Sequence, residues 1–318
     1  MPRQLTARKL APAISAEALF AKSQLYIQKA LLRKEEGNLD EYQLWASLAL
    51  ELLGKSALAR HHPSLIADPT HRSSIFAAAG INISAEVRTI GAHTLFDRLR
   101  HLAPTFDEKV KTFCVAIAER RNAELHSGET PFRSMRVDAW QAQYWHAAQI
   151  ILGLQGSTLD DWLGSSLAAT PKAILKHADE AKRLAVTIRL QRAKELFFER
   201  KRAERERALA DAASRQAFHY SGLFTLSGDK EWEVTCPACG GKAFFAGVQT
   251  AEDVIDTYTD DEGAWESVET WYSAEQFHCP VCDLELDGAD EIAAAELDGE
   301  YSDTDDREMA YEPEYGNE

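Results

Sequence analysis

Four of the five cysteines in this 318-residue chain stand in two Cys-x-x-Cys pairs, Cys236 with Cys239 and Cys279 with Cys282, and 39 residues lie between the pairs. Each pair forms a tight turn whose backbone amides support the two sulfurs. Two such turns facing one another make a tetrahedral four-thiolate site. The chain must therefore fold back so that residues 236–239 and 279–282 meet. Pro237 and Gly240 suit the first turn, which needs a residue that tolerates positive φ, while the second carries Asp283 at the matching place. With every coordination position filled by protein, the expected cofactor is one structural Zn2+ per chain, with no open position for a catalytic water. Sulfur ligation also admits iron, and a reducing cytoplasm disfavours disulfides.

Residues 231–235, 242–248 and 276–278 alternate polar and apolar like short strands around these turns. The segment 217–300 resembles a zinc ribbon with an acidic insertion at about 249–270. His278 reads as a strand residue rather than a fifth ligand, and Cys114, far from the other four, as buried core.

Charge is divided unevenly. Residues 249–318 hold 24 Asp and Glu against Arg307 alone, a balance of −23, whereas residues 1–248 hold 27 acidic and 34 basic residues, a balance of +7. The first part is able to meet a polyanion and the second repels one. A ribbon this acidic suits a protein partner, or packing onto the rest of the chain, better than phosphate. Residues 301–318 read as an acidic disordered tail that aids solubility; the alternative is a segment that competes with RNA for the basic part. No apolar run approaches the roughly 18 to 20 residues that span a bilayer. The first nine residues also lack the apolar core of a signal peptide. A cytoplasmic protein with no membrane partner is expected.

The first half reads as helices with short breaks. Ser15 opens a periodic run through Leu32, stopped at Gly37 and Asn38. Asp40 and Gln43 suggest a capping box for a helix over 44–58. A third helix is expected over 85–102 and a fourth over 108–127 with Asp107 as its cap. A fifth, over 135–154, carries Trp140, Tyr144 and Trp145, which suit either core packing or a dimer seam. Ser157 and Asp160 suggest a short helix, and Thr170-Pro171 the start of another. Residues 172–215 contain no Gly or Pro and read as one long helix, a spacer or dimer arm rather than a dedicated RNA clamp, because its Arg and Lys residues are interleaved with Glu.

The run Glu119-Arg120-Arg121-Asn122-Ala123-Glu124-Leu125-His126-Ser127-Gly128 ends the fourth helix. At about 100° per residue, Asn122 and His126 share a face with Val115 and Ala118, whereas Arg121 and His126 diverge by roughly 140°. One helix cannot easily aim both at one phosphate. Two copies across a two-fold axis can. Gly128 is placed as a natural C-cap residue and Pro131 blocks continuation, leaving His126 in a last turn whose carbonyls favour positive charge.

The pattern Arg-Asn-x-x-x-His is similar to the signature of the HEPN superfamily, all-helical domains that are often metal-independent ribonucleases, and residues 44–55 resemble the second helix of such domains. The resemblance implies a helical bundle over 15–155, a homodimer, and RNA as substrate. It gives Arg121 the phosphate, Asn122 an orienting role and His126 the acid–base chemistry, with no metal at the catalytic site. It implies a toxin or phage-defence effector, with an antitoxin or regulatory protein as a further partner. One branch of the family carries a Tyr two residues after the His; here that position is Gly128. The expected chain is thus mainly α: a HEPN-type bundle over 15–155, a helical arm over 156–216, a small β zinc ribbon over 217–300 and the tail. The competing expectation is a non-catalytic adaptor or regulator. A DNA-binding regulator would need a basic ribbon, and the sequence supplies the reverse.

Overall fold

The computed structural model describes residues 10–217, 224, 228–259 and 263–309. The chain is mainly α with one small antiparallel sheet, and it divides into two compact units, Met1–Ala181 and Lys182–Glu318. No helix among the described residues is long and apolar enough to cross a membrane.

The first unit is helical. It contains α1 (Ala16–Glu35), α2 (Leu39–His61), α3 (Arg72–Ala78), α4 (Ala92–Arg100), α5 (Glu108–His126), α6 (Val137–Leu154), α7 (Leu159–Leu163) and the beginning of α8 (Ser165–Glu199). Local chemistry sets the boundaries. Ser15 Oγ accepts from the Ala18 N–H, and Asp107 Oδ1 from the Val110 N–H at 2.9 Å, satisfying donors that a helix start leaves open. Gly37, at φ 77°, reverses the chain between α1 and α2. The α2 cap is Asn38, not Asp40: its Oδ1 accepts from the Glu41 N–H, and the helix begins five residues before the expected start. Thr158 and Asp161, rather than Ser157 and Asp160, form the capping box of α7.

Large aromatic side chains fill the core. Trp140, Tyr144 and Trp145 are all buried, with Tyr42 and Trp162 beside them, so the α6 stripe is core packing and not a surface seam. Tyr144 O–H donates to the Ala46 carbonyl and Trp162 Nε1–H to Ser23 Oγ, which lets these polar tips sit inside. A Cβ added at Gly54 of α2 would come within 3.2 Å of Leu99 of α4, so glycine sets how closely these helices approach.

Two expected helices take other forms. The third is shorter, Ala92–Arg100 in place of 85–102, and α3, which was not among the expected helices, precedes it. The long helix of 172–215 begins earlier, at Ser165, and runs through Pro171, which sits inside α8. It then breaks at Arg200 and Lys201 before α9 (Arg202–Ala213). Arg200 Nη1 donates to the Val281 carbonyl at 2.6 Å, which draws the chain aside at the break.

The second unit has strands β1 (Lys230–Thr235), β2 (Lys242–Thr259), β3 (Ala264–His278), β4 (Glu285–Asp287), then α10 (Ala289–Ala294) and β5 (Glu300–Glu308). The sheet order is β1-β2-β3-β4, and β5 pairs with β3. Val186, Ala193 and Phe197 of α8 and Ala212 of α9 share a core with Trp232, Phe245, Phe277 and the cysteines. Residues 182–216 therefore belong to this unit's core rather than to a separate arm, while 156–181 belong to the helical unit. Charge reinforces the packing: Arg189 pairs with Glu291, and Lys182 with Asp290. The expected insertion of 249–270 is the distal hairpin of β2 and β3. The expected disordered tail is corrected over Glu300–Glu308, which pairs residue by residue with β3 because its Tyr301 stacks on Trp232 and its Lys-paired Asp303 anchors it. Residues 310–318 and the first nine lie outside the described residues.

Candidate functional site: the end of helix α5 and the four-cysteine cluster

Helix α5 carries the Arg-Asn-x-x-x-His run in its last two turns. Cys114, Ile117 and Ala118 bury one side of the helix, while Asn122, Leu125 and His126 are exposed. The helix does not close on a left-handed glycine. Ser127 is extended, its N–H and Oγ–H both donate to the Ala123 carbonyl, and Gly128 takes no positive φ. The following loop is tied back by Phe132, which is buried. Its N–H reaches Glu124 Oε2, and its carbonyl accepts from Gln43 Nε2 of α2 at 3.1 Å.

Arg121 turns the other way. Its side chain is 11 % exposed, and Nη2 lies 2.7 Å from Glu51 Oε2 of α2. Glu51 Oε1 holds Lys55 Nζ at the same distance, and Lys55 also donates to Thr89 Oγ1. Burial raises the Glu51 carboxyl, but Lys55 and Arg121 together outweigh it and hold it below its ordinary value. The cluster therefore combines two cations with one carboxylate, an excess of positive charge against the helix. Arg121 Nε–H has no hydrogen-bond partner among the described residues.

Within one chain, then, Asn122 and His126 share a solvent-facing stripe and Arg121 lies on the adjoining inward face, as helical spacing dictates. Glu51 and Lys55 were not singled out in the sequence. The signal that marks them is a carboxylate and an amine four residues apart on an otherwise apolar helix, where a charged pair needs a buried reason.

In the second unit the four cysteine sulfurs all lie within 4.8 Å of one another. Cys236 Sγ is 3.6 Å from Cys282 Sγ, and Cys239 Sγ is 3.5 Å from Cys279 Sγ. A tetrahedron with metal–sulfur bonds of about 2.3 Å has edges of about 3.8 Å, so this set fits a metal ion. The two turns use the same bonds. Gly240 N–H donates to the Cys236 carbonyl and Cys236 N–H to the Gly241 carbonyl; Asp283 N–H donates to the Cys279 carbonyl and Cys279 N–H to the Leu284 carbonyl, all at 2.9 Å. Gly240 (φ 73°) and Asp283 (φ 56°) occupy the same left-handed position. His278 ends β3, in register with Phe244 and Glu285. Cys114 is fully buried in the other unit, and burial pushes its thiol well above the ordinary value.

The chain matches no family model, no curated protein and no solved structure.

Proposed function

We propose that the helical unit is a metal-independent endoribonuclease of HEPN type acting as a homodimer, and that the four-cysteine site of the second unit holds a structural Zn2+. The observation that carries the first part is the clustering at one end of α5. Asn122 and His126 face solvent on one stripe, and the guanidinium of Arg121 lies on the adjoining inward face, held by Glu51 in a locally cationic setting. The second part rests on the sulfur set and on chemistry: four thiolates with tetrahedral spacing suit Zn2+, which would tie the two turns together and take no part in cleavage.

In this reading the imidazole of one His126 accepts the proton of a ribose 2′-OH as the oxygen attacks the adjacent phosphorus. The bond to the 5′ oxygen breaks, and the imidazolium of the other copy protonates that leaving oxygen. The products are a cyclic phosphate and a 5′-OH. Arg121 stabilises charge on the phosphoryl oxygens, and Asn122 orients the phosphate. A role as a toxin or phage-defence effector held by an antitoxin follows from the resemblance alone.

The test is cleavage of a short RNA by the intact protein with a brief exposure to EDTA. His126→Ala, at an exposed position, is expected to lower the rate by about 10²- to 10⁴-fold with the circular dichroism and dimer unchanged. Cleavage at the wild-type rate in that variant removes the nuclease reading. One observation favours a second reading, a non-catalytic adaptor: the Arg121 guanidinium is turned onto Glu51 of its own chain. That reading expects no RNA cleavage by the wild-type protein at all.

A further inference from the structure

Strand β2 is much longer than the strand that covers its outer edge. β1 pairs only with Lys242 to Gly247, whereas β2 continues to Thr259, so residues 251–259 have β3 on one side and no strand on the other among the described residues. All nine are exposed. A row of unpaired backbone N–H and C=O groups is a template for another strand, and proteins usually blunt such edges with Lys, Pro or inward charges. This stretch has neither Lys nor Pro. It displays Val254, Ile255, Thr257, Tyr258 and Thr259, residues that favour strands. The opposite edge of the hairpin, β5, is defended by Asp303, Asp305, Asp306 and Glu308.

The two faces beside that edge differ in charge balance. Residues opposite one another in an antiparallel pair share a face. On one face, Glu252, Glu266 and Asp303 are matched by Arg307 and by Lys230, which leaves Asp305, and Lys230 Nζ also lies 5.8 Å from the centre of the Tyr272 ring. The other face holds Asp253, Asp256, Glu269 and Glu308, none of which makes an ion pair among the described residues. Tyr258, Trp265 and Trp271 lie between them on that face. Unneutralised carboxylates alternating with aromatic rings are complementary to Lys and Arg side chains spaced two residues apart, as Lys230 demonstrates on the first face.

We propose that the free edge of β2 at residues 251–259 captures an extended, cationic segment of another protein by strand addition. Backbone hydrogen bonds to the edge supply affinity, and the carboxylates and rings select alternate basic side chains. Two other occupants are disfavoured by the same charges. A second copy of this hairpin brings like charges together, and RNA meets a surface on which carboxylates outnumber cations. The proposal does not depend on the nuclease reading.

The experiment uses the full chain and a synthetic nine-residue peptide in which Lys alternates with Val and Thr, followed by tryptophan fluorescence and calorimetry. Micromolar binding is expected, weakening as salt rises. A version of the peptide N-methylated at alternate amides keeps its charge but cannot continue a ladder, and it should bind at least about tenfold more weakly. Ile255 is the extra residue of a bulge and has no partner in the β3 register, so Ile255→Pro interrupts the exposed stretch without displacing a residue paired in that register, and it should weaken binding similarly. Asp253→Lys with Asp256→Lys should abolish it, with zinc content and circular dichroism as folding controls. Equal binding of the methylated peptide, indifference to Ile255→Pro, no binding up to millimolar peptide, or displacement of the peptide by a short RNA would each overturn the proposal.

Discussion

In the helical unit Tyr42, Trp140, Tyr144, Trp145 and Trp162 form a run of ring contacts with centroids 4.9 to 6.3 Å apart. In the second unit Trp232, Phe245, Phe277 and Phe197 share one core with the cysteines. One unit is held by area removed from water, about 25 cal/mol for each Å² of apolar surface. The other has a smaller core and, with a metal bound, is held by ligand bonds that close the long loop between Cys239 and Cys279. The difference teaches where each unit is vulnerable. A side-chain truncation weakens the first by degrees, whereas, with the proposed Zn2+ bound, loss of a single cysteine would undo the second.

The largest effect should come from the metal. Structural zinc sites contribute on the order of 10 kcal/mol or more to folding, so Cys279→Ser should abolish bound zinc and eliminate the second unit's thermal transition. The transition of the helical unit should stay within a few degrees. A single transition that moves as a whole would break the comparison. Trp145→Ala should do the converse, costing the helical unit about 3 to 5 kcal/mol while zinc content, measured by a chromogenic chelator, stays unchanged.

Glu51→Gln should come next, at about 3 kcal/mol, because it strands Lys55 and Arg121 as buried cations. The pH dependence has a definite sign. The folded-state carboxyl of Glu51 lies below its ordinary value of 4.5, so its contribution is complete above that value and is lost as pH falls through the lower folded value. Wild-type protein should therefore show an acid-induced loss of helical stability below about pH 4.5 that Glu51→Gln lacks; parallel acid titrations by circular dichroism check this. The smallest effect concerns the two turns. Asp283→Gly should stabilise the second unit by about 1 kcal/mol, and Gly240→Ala should destabilise it by a similar amount, since only one of the two left-handed positions already has glycine. Equal melting temperatures would mean that the turns are not equivalent.

Much of the candidate sites was legible in residue order because the signals are short-range. The Asp107 cap and the 108–126 helix follow from three or four neighbouring residues, and the Cys-x-x-Cys spacing brings its own turn geometry. Asn38 was hidden behind Asp40, since both are good caps and only the packed helix length chooses between them. Pro171 read as a helix start, yet the helix already under way accepts its fixed φ at the loss of one hydrogen bond. β5 was illegible because eight of its nine residues are polar or charged, and it becomes a strand only through the edge that β3 offers. The Glu51–Lys55 pair was marked only as a charged pair on an apolar helix, and its link to Arg121 was hidden because that partner is 70 positions away in the chain.

By itself the amino-acid order determined that the first half is built of helices, where the four cysteines converge and on which helix face Asn122 and His126 sit, because each depends on periodicity or on neighbours in the chain. Tertiary structure alone decided that Arg121 is anchored to Glu51, that the end of α8 belongs to the core of the four-cysteine unit, and that residues 251–259 of β2 pair with β3 alone among the described residues. Those outcomes depend on which surfaces meet after the chain has folded back. Burial and charge pairing between distant residues settle that, and no local pattern encodes it.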